Sequence, residues 1–439
     1  MFQLQKKRYH SFTKACCTTF NLITISTIST SNTGGAGIAA LRLHKSLNQQ
    51  KLVSSTFINT VNENSNEKIV RVQPSIMVNS GEHLINRIHR KINRTLKTNL
   101  PLFIDNLTRF KSKINNYTLN CEIASLPFSQ FKVEKEPTLL NSDLIHLHWV
   151  AECINYPTFF KSIKKPIVWT LHDMNPFQGI FHYKNDEINN PSISKIDKEI
   201  QRLKNTFIHR NQNIHIVCLT DWMYQASKNS AILGGYPHYL IPNGLDFTQF
   251  KTALSKDELK ATYSINNNNK TLLFISQDIK NPRKGFDLLK NSLDLITDTP
   301  FNVVTVGNNQ VELPTNFNHI HFNHIEDLSE LNELYTLADL FLLPSREDNL
   351  PNVMLESFAN GTPIISFNTG GMKDWVVPYK NGILVDDFST KQFAQELLNF
   401  ANNNYIFDAE YIRSYAEQNF NQLEQTKKYT ELYQNILNK

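Results

Sequence analysis

Residues 338–371 have the sequence ADLFLLPSREDNLPNVMLESFANGTPIISFNTGG, in which two apolar runs flank a polar turn and a short amphipathic segment. The uniformly apolar run at 340–343 is typical of a parallel strand that is buried on both faces. Asn352 is a candidate N-cap for a helix that ends at Gly361, and Pro363 then opens the strand IISF. The pattern predicts a strand, loop, helix and strand, which is the repeating unit of an open α/β sheet.

Two acids, Asp348 and Glu356, follow the first of these strands at a separation of eight positions. In open α/β sheets, ligands bind at the loops that follow the carboxyl ends of the strands. A carboxylate accepts two hydroxyl hydrogen bonds, which suits sugar and ribose diols, and an anion is favoured near a helix N-terminus. Taken alone, the pair is as consistent with a purely structural interpretation, in which one acid caps the helix and the other is a solvated loop residue, as with a ligand site.

The same stretch resembles the nucleotide-sugar site of family 4 glycosyltransferases, whose signature is two acids with seven residues between them. Here the match is DNLPNVMLE followed by SFANGTP, with Asp348 in place of the more usual glutamate. This resemblance implies that Glu356 holds ribose hydroxyls and that Asp348 contacts the donor sugar, with the adjacent Glu347 as its alternative. We also place Asn349 and Leu350, in the same loop, among the donor-binding residues.

Length and composition limit the class of protein. A chain of 439 residues is long enough for two domains. Its net charge of +5, from 45 basic and 40 acidic residues, does not indicate a nucleic-acid-binding protein. The five cysteines form no C-x-x-C pair, which argues against a disulfide framework or a structural zinc site and favours the cytoplasm. We predict that residues 1–19 are a loose N-terminal extension.

The first strand is predicted at FNLITISTIS, residues 20–29, and a glycine loop and an amphipathic helix follow it. Gly34 and Gly35 let the backbone approach a phosphate at the start of that helix, so we place them in the donor site. A plain tight turn is the alternative. The loop is not G-x-G-x-x-G, and the next strand pattern lacks the terminal acid that holds an adenosine ribose, which argues against an NAD-dependent oxidoreductase.

A second motif, PIVWTLHDMNPFQGIFHY at residues 166–183, predicts a buried strand that brings His172 and Asp173 to the carboxyl edge of the sheet. An imidazole and a carboxylate at that edge can contact a sugar. The stretch closely resembles a subgroup of the family 4 enzymes, many of which act in surface-polysaccharide synthesis, and it implies that His172 touches the donor sugar. We place Asp173 with it in the donor site. Many relatives have cysteines just after this segment, whereas this chain has Phe181, so we predict no metal there.

The second half of the chain begins after IPNGLD, residues 241–246, which resembles the domain junction of the family. Its Asn-Gly step is a strong turn signal, and we place the domain boundary near residue 250. Arg283 and Lys284 then precede a predicted helix, where cations suit a diphosphate, although two ordinary surface residues would give the same pattern. Lys284 resembles the phosphate-binding lysine of the family, and we expect Arg283 to replace the arginine that many relatives carry at the preceding strand end.

Gly370 and Gly371 follow the next strand, where their amides can face the donor phosphates or sugar. The resemblance to family 4 implies an α/β protein of the GT-B arrangement. Its two Rossmann-like domains, at 20–250 for the acceptor and 251–415 for the donor, face each other across a cleft. The tail at 416–439 is helical in pattern, and in the GT-B fold the last helix commonly crosses back to the first domain.

The resemblance implies a retaining glycosyltransferase that moves a sugar from a nucleotide-sugar donor to a hydroxyl of a glycan or lipid-linked acceptor. The sequence offers no D-x-D motif at a predicted strand end, so Lys284, Arg283 and backbone amides would stabilise the departing diphosphate without a metal cofactor. His172 and Asp348 complete the predicted catalytic set. A non-catalytic nucleotide-sugar-binding protein is the alternative.

Residues 84–113 contain eight basic residues and one acid, Asp105, so the segment carries an excess charge of +7. Leucine and isoleucine recur between the basic residues at helical spacing. This combination suits an anionic membrane surface or a charged acceptor, and an ordinary solvated basic helix is the other interpretation. We predict a peripheral contact with the cytoplasmic face of the membrane.

Overall fold

The computed structural model describes residues 22–61, 68–74, 105–265 and 268–438, which form two α/β domains. The described strands of the first domain are β1 (Ile23–Ile28), β2 (Val53–Asn59), β3 (Ile69–Arg71), β4 (Leu144–Leu147), β5 (Ile167–Leu171), β6 (Ile214–Cys218) and β7 (His238–Leu240). They pair in the order β3-β2-β1-β4-β5-β6-β7, and all of these pairs are parallel.

The helices of the first domain cover both faces of this sheet. Those within the described ranges are α1 (Gly34–Gln49), α2 (Asn106–Ile114), α3 (Pro137–Asn141), α4 (Tyr156–Ser162), α5 (Lys184–Asn189), α6 (Ser194–Ile208) and α7 (Asp221–Lys228). Every residue of β4, β5 and β6 is buried, as expected for central parallel strands that are covered on two sides.

The second domain repeats this architecture. Its described strands are β8 (Lys270–Asp278), β9 (Phe301–Asn308), β10 (Asn318–Phe322), β11 (Leu340–Leu343), β12 (Ile364–Phe367) and β13 (Gly382–Val385), which pair in parallel in the order β10-β9-β8-β11-β12-β13. Its described helices, and those that follow the sheet, are α8 (Lys256–Thr262), α9 (Phe286–Leu293), α10 (Leu328–Leu337), α11 (Asn352–Ala359), α12 (Met372–Trp375), α13 (Thr390–Ala401), α14 (Ala409–Phe420) and α15 (Gln422–Leu437).

Each sheet has a topological switch point, which is the place where the strand order reverses. It lies between β1 and β4 in the first sheet and between β8 and β11 in the second. A switch point leaves a crevice at the carboxyl ends of the strands, and ligands of open α/β sheets bind there. Loops from the two switch points line one shared cavity. The prediction of two Rossmann-like domains facing across a cleft is therefore confirmed.

Residues 338–371 fold as a strand, loop, helix and strand, as predicted. Gly361 has φ +75° and ends α11 in the left-handed region, as predicted. The expectation that Asn352 caps this helix is wrong, because Pro351 occupies the N-cap position. The side-chain amide of Asn352 instead donates to the backbone carbonyl of Gly35 in the first domain, at 3.0 Å.

Helix α15 returns to the first domain after the chain has completed the second sheet. Its apolar side packs into a core cluster with residues of β1, α1, β4, β5 and β6. The hydroxyl of Tyr429 lies 2.8 Å from Oγ1 of Thr170, and the hydroxyl of Tyr433 lies 2.8 Å from Nδ1 of His146. The first domain is thus completed by a helix from the far end of the described chain.

Two sequence predictions fall partly or wholly outside the described residues. These are the extension at 1–19 and most of the basic segment, at 84–104. In the described remainder of that segment, Arg109 and Lys113 on α2 both pair with Glu199, at 3.3 and 3.2 Å. No helix within the described ranges is both long enough and apolar enough to cross a bilayer.

Candidate active site

A cavity of about 680 Å³ lies between the two switch points, a volume in the usual range for small-molecule sites. The predicted site residues that line it are Gly34, Gly35, His172, Asp173, Arg283, Lys284, Asp348 and Leu350. The predicted site residues that lie outside its lining are Glu347, Asn349, Glu356, Gly370 and Gly371. The structure therefore brings residues of both sequence motifs to one cavity, one motif on each wall.

Asp348 is the centre of the charge network on the second-domain wall. Its Oδ2 lies 2.7 Å from Nζ of Lys284 and 2.9 Å from Nη1 of Arg283. Burial acts to raise the pKa of Asp348, but the two cations hold it far below its usual range. Asp348 is therefore an anion at neutral pH, and it holds both basic residues at the cavity edge.

Arg283 joins the two domains as well as facing the cavity. Its Nε donates to Glu122 of the first domain at 2.5 Å, and its Nη1 also donates to the carbonyl of Glu347 at 3.2 Å. Its guanidinium lies 4.8 Å from the ring centroid of Tyr183. The side chain of Lys284 is 22% exposed and that of Arg283 is 14% exposed. Lys284 is thus the more exposed of the two cations.

Glu347, the alternative to Asp348, has a different partner. Its two carboxylate oxygens accept from the backbone N–H groups of Lys184 and Asn185, at 3.3 and 2.9 Å, in the first turn of α5. An anion at a helix N-terminus is favoured by the unpaired amides there. Glu347 therefore holds α5 against the second domain, and Asp348 alone of the two faces the cavity.

His172 lies on the opposite wall, directly after β5, as the sequence predicted. Its Nε2 lies 3.0 Å from Nδ1 of His148, which follows β4. Burial lowers the pKa of His172 to about 4, so the ring is neutral at pH 7. A neutral imidazole has one donor and one acceptor, which suits a hydrogen bond with a sugar hydroxyl.

Asp173 reaches the cavity edge, but its oxygens bind neighbouring side chains. Oδ2 accepts from Nε1 of Trp149 at 2.7 Å and lies 2.5 Å from Nδ1 of His182. Burial acts to raise the pKa of Asp173, while the His182 ring and the N–H donors bring it below its usual value. Asp173 therefore fixes two aromatic side chains of the wall.

His182 continues this chain of hydrogen bonds, because its Nε2 lies 2.9 Å from Oγ of Ser125. A serine, a histidine and an aspartate in this order have the connectivity of a hydrolase triad. Ser125, however, is only 1% exposed and does not line the cavity. A substrate in the cavity does not reach this hydroxyl, so these hydrogen bonds serve to orient the ring of His182.

Glu356 is enclosed between the domains, 8% exposed and outside the cavity lining. Its Oε1 accepts from Nη2 of Arg42 on α1 at 2.9 Å, and its Oε2 accepts from the hydroxyl of Tyr335 at 3.3 Å. The carboxylate that resemblance assigns to ribose hydroxyls is thus bound to a cation of the first domain in this structure.

The loop around Asp348 is held from behind by three of the predicted donor-binding residues. The side-chain amide of Asn349 donates to the carbonyl of Leu171 at 2.9 Å, and its oxygen accepts from Thr220 at 2.7 Å. The amide of Gly371 donates to the carbonyl of Asp348 at 2.9 Å. A Cβ on Gly370 would lie 2.2 Å from that same carbonyl oxygen. The expectation that the Gly371 amide faces the donor is therefore wrong, since the amide faces the loop.

Gly34 and Gly35 form the start of α1 at the cavity. Gly34 has φ +69°, a backbone conformation that glycine adopts without strain. Thr33 holds the N-cap position of α1, but its side chain makes no capping hydrogen bond. A helix N-terminus with free amide groups favours an anion, so this end of the cavity suits a phosphate or carboxylate.

Several lining residues were not predicted from the sequence, among them Glu122, Trp149 and His182. Trp149 follows β4 in the run HLHW, so the rule that placed His172 after β5 would have found it. Glu122 lies in an irregular segment without a motif. Nothing in the sequence near Glu122 indicates that it meets Arg283.

Among the described residues, no group of three or more His, Cys, Asp or Glu side chains is arranged to hold a metal ion. Cys121, Cys153 and Cys218 are free thiols. Burial raises the pKa of Cys153 to about 12, so this thiol is not a nucleophile at neutral pH.

Comparison with solved structures identifies the architecture. The chain superposes on sucrose-phosphate synthase from Thermosynechococcus elongatus with a TM-score of 0.66 and 14% identity, over 94% of this chain and 99% of the other. It superposes on HepE of Anabaena, solved with UDP-glucose, with a TM-score of 0.61 and 15% identity, over 94% and 100%. The chain has the GT-B fold. At these identities the likeness establishes the fold alone.

Sequence comparison finds a family match that covers most of the second domain: residues 255–419 match the model described as glycosyl transferases group 1. A GDP-mannose-dependent phosphatidylinositol monomannoside mannosyltransferase of Mycobacterium tuberculosis is 28% identical over 172 residues, 35% of this chain and 44% of the relative. The capsular polysaccharide biosynthesis glycosyltransferase CapM of Staphylococcus aureus is 25% identical over 174 residues, 37% and 44%. The chain matches 28% to 53% of the length of several such curated relatives.

Proposed function

We propose that this chain is a retaining glycosyltransferase that transfers a sugar from a nucleotide-sugar donor to a hydroxyl of a glycan or lipid-linked acceptor. The observation that carries this proposal is the cavity shared by the two switch points, with Lys284 and Asp348 on one wall and His172 on the other. The match of residues 255–419 to the glycosyl transferases group 1 model supports it independently of the geometry.

In the proposed reaction, the bond between the anomeric carbon and the leaving diphosphate breaks while the acceptor oxygen bonds to that carbon on the same face. Negative charge grows on the leaving diphosphate, and cations that are already in place lower the barrier by stabilising it. Lys284, held by Asp348 at 2.7 Å, is the more exposed of the two cations. An oxygen of the leaving phosphate takes the acceptor proton, so no side chain has to act as general base.

On the first-domain wall, two groups complete the proposed donor site. The free amides at the start of α1, with Gly34 and Gly35, suit a phosphate oxygen. His172 is a neutral ring that can bond a hydroxyl of the donor sugar without adding charge. Glu356 would accept the ribose hydroxyls, and Arg42 would then give up or share the carboxylate that it now binds.

Relatives and structural neighbours support the classes of substrate. HepE was solved with UDP-glucose, the mycobacterial relative is named for GDP-mannose and a phosphatidylinositol mannoside, and CapM is named for capsular polysaccharide. A nucleoside diphosphate sugar is accordingly our proposed donor, and a surface glycan or its lipid-linked precursor is our proposed acceptor. We propose the cytoplasm, where the chain also meets the inner membrane face, as its compartment.

A donor panel tests the proposed function. Wild type should show a thermal shift with one group of UDP, GDP or ADP sugars, since ligand at 100 times its Kd stabilises by about 2.7 kcal/mol. It should also release the nucleotide from that donor, slowly with water and faster with an acceptor extract. Binding without turnover in every acceptor extract would favour a nucleotide-sugar sensor, and the absence of any shift would remove the proposal.

Membrane contact is tested separately on the basic segment. Near an anionic surface, each basic residue contributes about 1 kcal/mol at most, so binding should be weak and should fade as salt rises. Cosedimentation with anionic vesicles should fall when Arg87, Arg90, Lys91 and Arg94 are replaced by glutamate. If wild type ignores anionic vesicles at low salt, an acceptor in free solution becomes the better proposal.

A further inference from the structure

Two neutral histidines meet at the ends of neighbouring strands in the first domain. His148 follows β4 and is 3% exposed, and His172 follows β5 at the cavity. Their Nδ1 and Nε2 atoms are 3.0 Å apart, so one ring donates to the other. Burial lowers the pKa of both rings below the ordinary histidine value. Each neutral ring carries a single N–H, so the direction of this hydrogen bond fixes which nitrogen of each ring is protonated.

The other nitrogen of His148 decides the direction. Nε2 of His148 is fully buried and has no hydrogen-bond partner among the described residues. If His172 donated, His148 would carry its proton on Nε2, and that N–H would be enclosed without an acceptor. Orphaned buried N–H groups are rare and are more costly to bury than an unused lone pair. The favoured arrangement therefore protonates Nδ1 of His148, which donates to Nε2 of His172.

We propose that His148 is a positioning residue that fixes His172 as the Nδ1–H tautomer, so that His172 offers a hydrogen-bond donor to the cavity. Nε2 of His172 is occupied as an acceptor, and Nδ1 has no partner among the described residues. His172 then contacts an oxygen of the ligand as a neutral donor and does not serve as a base. The tautomer holds for the unliganded protein, whereas the role toward a sugar rests on the proposed glycosyltransferase function.

Nitrogen-15 NMR of the full chain labelled at histidine tests the tautomer without any substrate. The ring nitrogens of His172, assigned from a His172→Gln variant, should show protonation at Nδ1. His148→Phe should remove the preference. His148→Asn should restore it, because the asparagine side-chain N–H₂ can occupy the place of Nδ1–H. Thermal unfolding of each variant shows that the comparison is made on folded protein.

The chain offers a matched control in His146, two positions earlier on the same strand face. Its ring lies 4.2 Å from that of His148, but its nitrogens lie 2.8 Å from Thr170 and from Tyr433 and do not contact His172. His146→Asn should therefore leave the His172 tautomer unchanged. Protonation of wild-type His172 at Nε2, or an unchanged tautomer in His148→Phe, would overturn the inference.

Transfer kinetics supply the second readout. A neutral hydrogen bond contributes about 0.5 to 1.5 kcal/mol, so His148→Phe should lower kcat/KM about 2- to 10-fold, and His148→Asn should recover most of it. An equal loss in both variants would reduce His148 to a packing role. If NMR shows the Nδ1–H tautomer but no donor is turned over, the proposed function fails and the tautomer assignment stands.

Discussion

Replacing Glu356 by glutamine distinguishes two roles of its carboxylate: binding the ribose of the donor, and pairing with Arg42 of the first domain. The change keeps the shape of the side chain and an oxygen that can accept from the Tyr335 hydroxyl, and it replaces the charged oxygen that faces Arg42 at 2.9 Å by a neutral NH₂ group. Alanine would be a poorer choice, because it would also remove the hydrogen bond with Tyr335 and leave a cavity between the domains.

The expected loss of affinity follows from the two hydrogen bonds that a ribose diol would make. A hydrogen bond to a charged group contributes about 1.5 to 3 kcal/mol, against about 0.5 to 1.5 kcal/mol for a neutral one. Neutralising Glu356 should therefore weaken two bonds by about 2 to 3 kcal/mol in total. This corresponds to roughly a 30- to 150-fold rise in the Kd of the nucleotide.

Arg42→Gln is the matched control, because it breaks the same ion pair from the other side. The Arg42 side chain is 24% exposed and that of Glu356 is 11% exposed, so both variants should lose some stability in thermal unfolding. Titration calorimetry with the preferred nucleoside diphosphate should then separate them. Arg42→Gln should bind as well as wild type or better, since it frees the carboxylate. If Glu356→Gln binds within threefold of wild type, the carboxylate has no part in the donor site.

Three further predictions concern the loops and a buried lysine. Lys284→Ala should lower kcat about 10²- to 10³-fold with a smaller change in donor Kd, whereas Arg283→Ala should also lower the unfolding temperature because it joins the domains. Equal, small kinetic effects would show that neither cation stabilises the leaving group. Gly371→Ala should lower the free energy of unfolding by about 1 to 3 kcal/mol, since the added Cβ would lie 1.9 Å from the carbonyl oxygen of Asn349. Gly235→Ala is the control, because a Cβ there would meet open space and should leave the free energy of unfolding unchanged. Burial lowers the pKa of Lys204 to about 7, so between pH 7 and about pH 10 the unfolded chain binds one more proton than the folded chain. The free energy of unfolding of wild type in urea should therefore rise with pH over this range, relative to that of Lys204→Met. Parallel pH profiles of the two proteins would contradict this.

The fold could be predicted because its causes are local. Parallel strands buried on both faces give short apolar runs, and a strand end places the next side chains at the carboxyl edge of the sheet. His172 follows β5 for this reason, and the polar loop with Asp348 follows β11. Gly361 ended α11 where a left-handed residue was expected. Each of these predictions needed only neighbours within a few positions.

The remainder of the site depends on contacts between distant parts of the chain. Arg42 and Glu356 are 314 positions apart, and Arg283 and Glu122 are 161 positions apart. Local patterns carry no information about such pairs, because they arise only when the domains are docked. The acid at Glu347 illustrates the difficulty, since its loop position suited a ligand while its actual partner is the start of α5.

Helix α15 has a consequence for the order in which the chain folds. During synthesis, domains generally fold as units, with the N-terminal one first. Here the cluster that holds Ile25 and Leu43 of the first domain also needs Tyr429 and Tyr433, which are translated after the whole second sheet. We therefore expect the first domain to expose an apolar groove beside α1 on the ribosome until the second domain and α15 have been made.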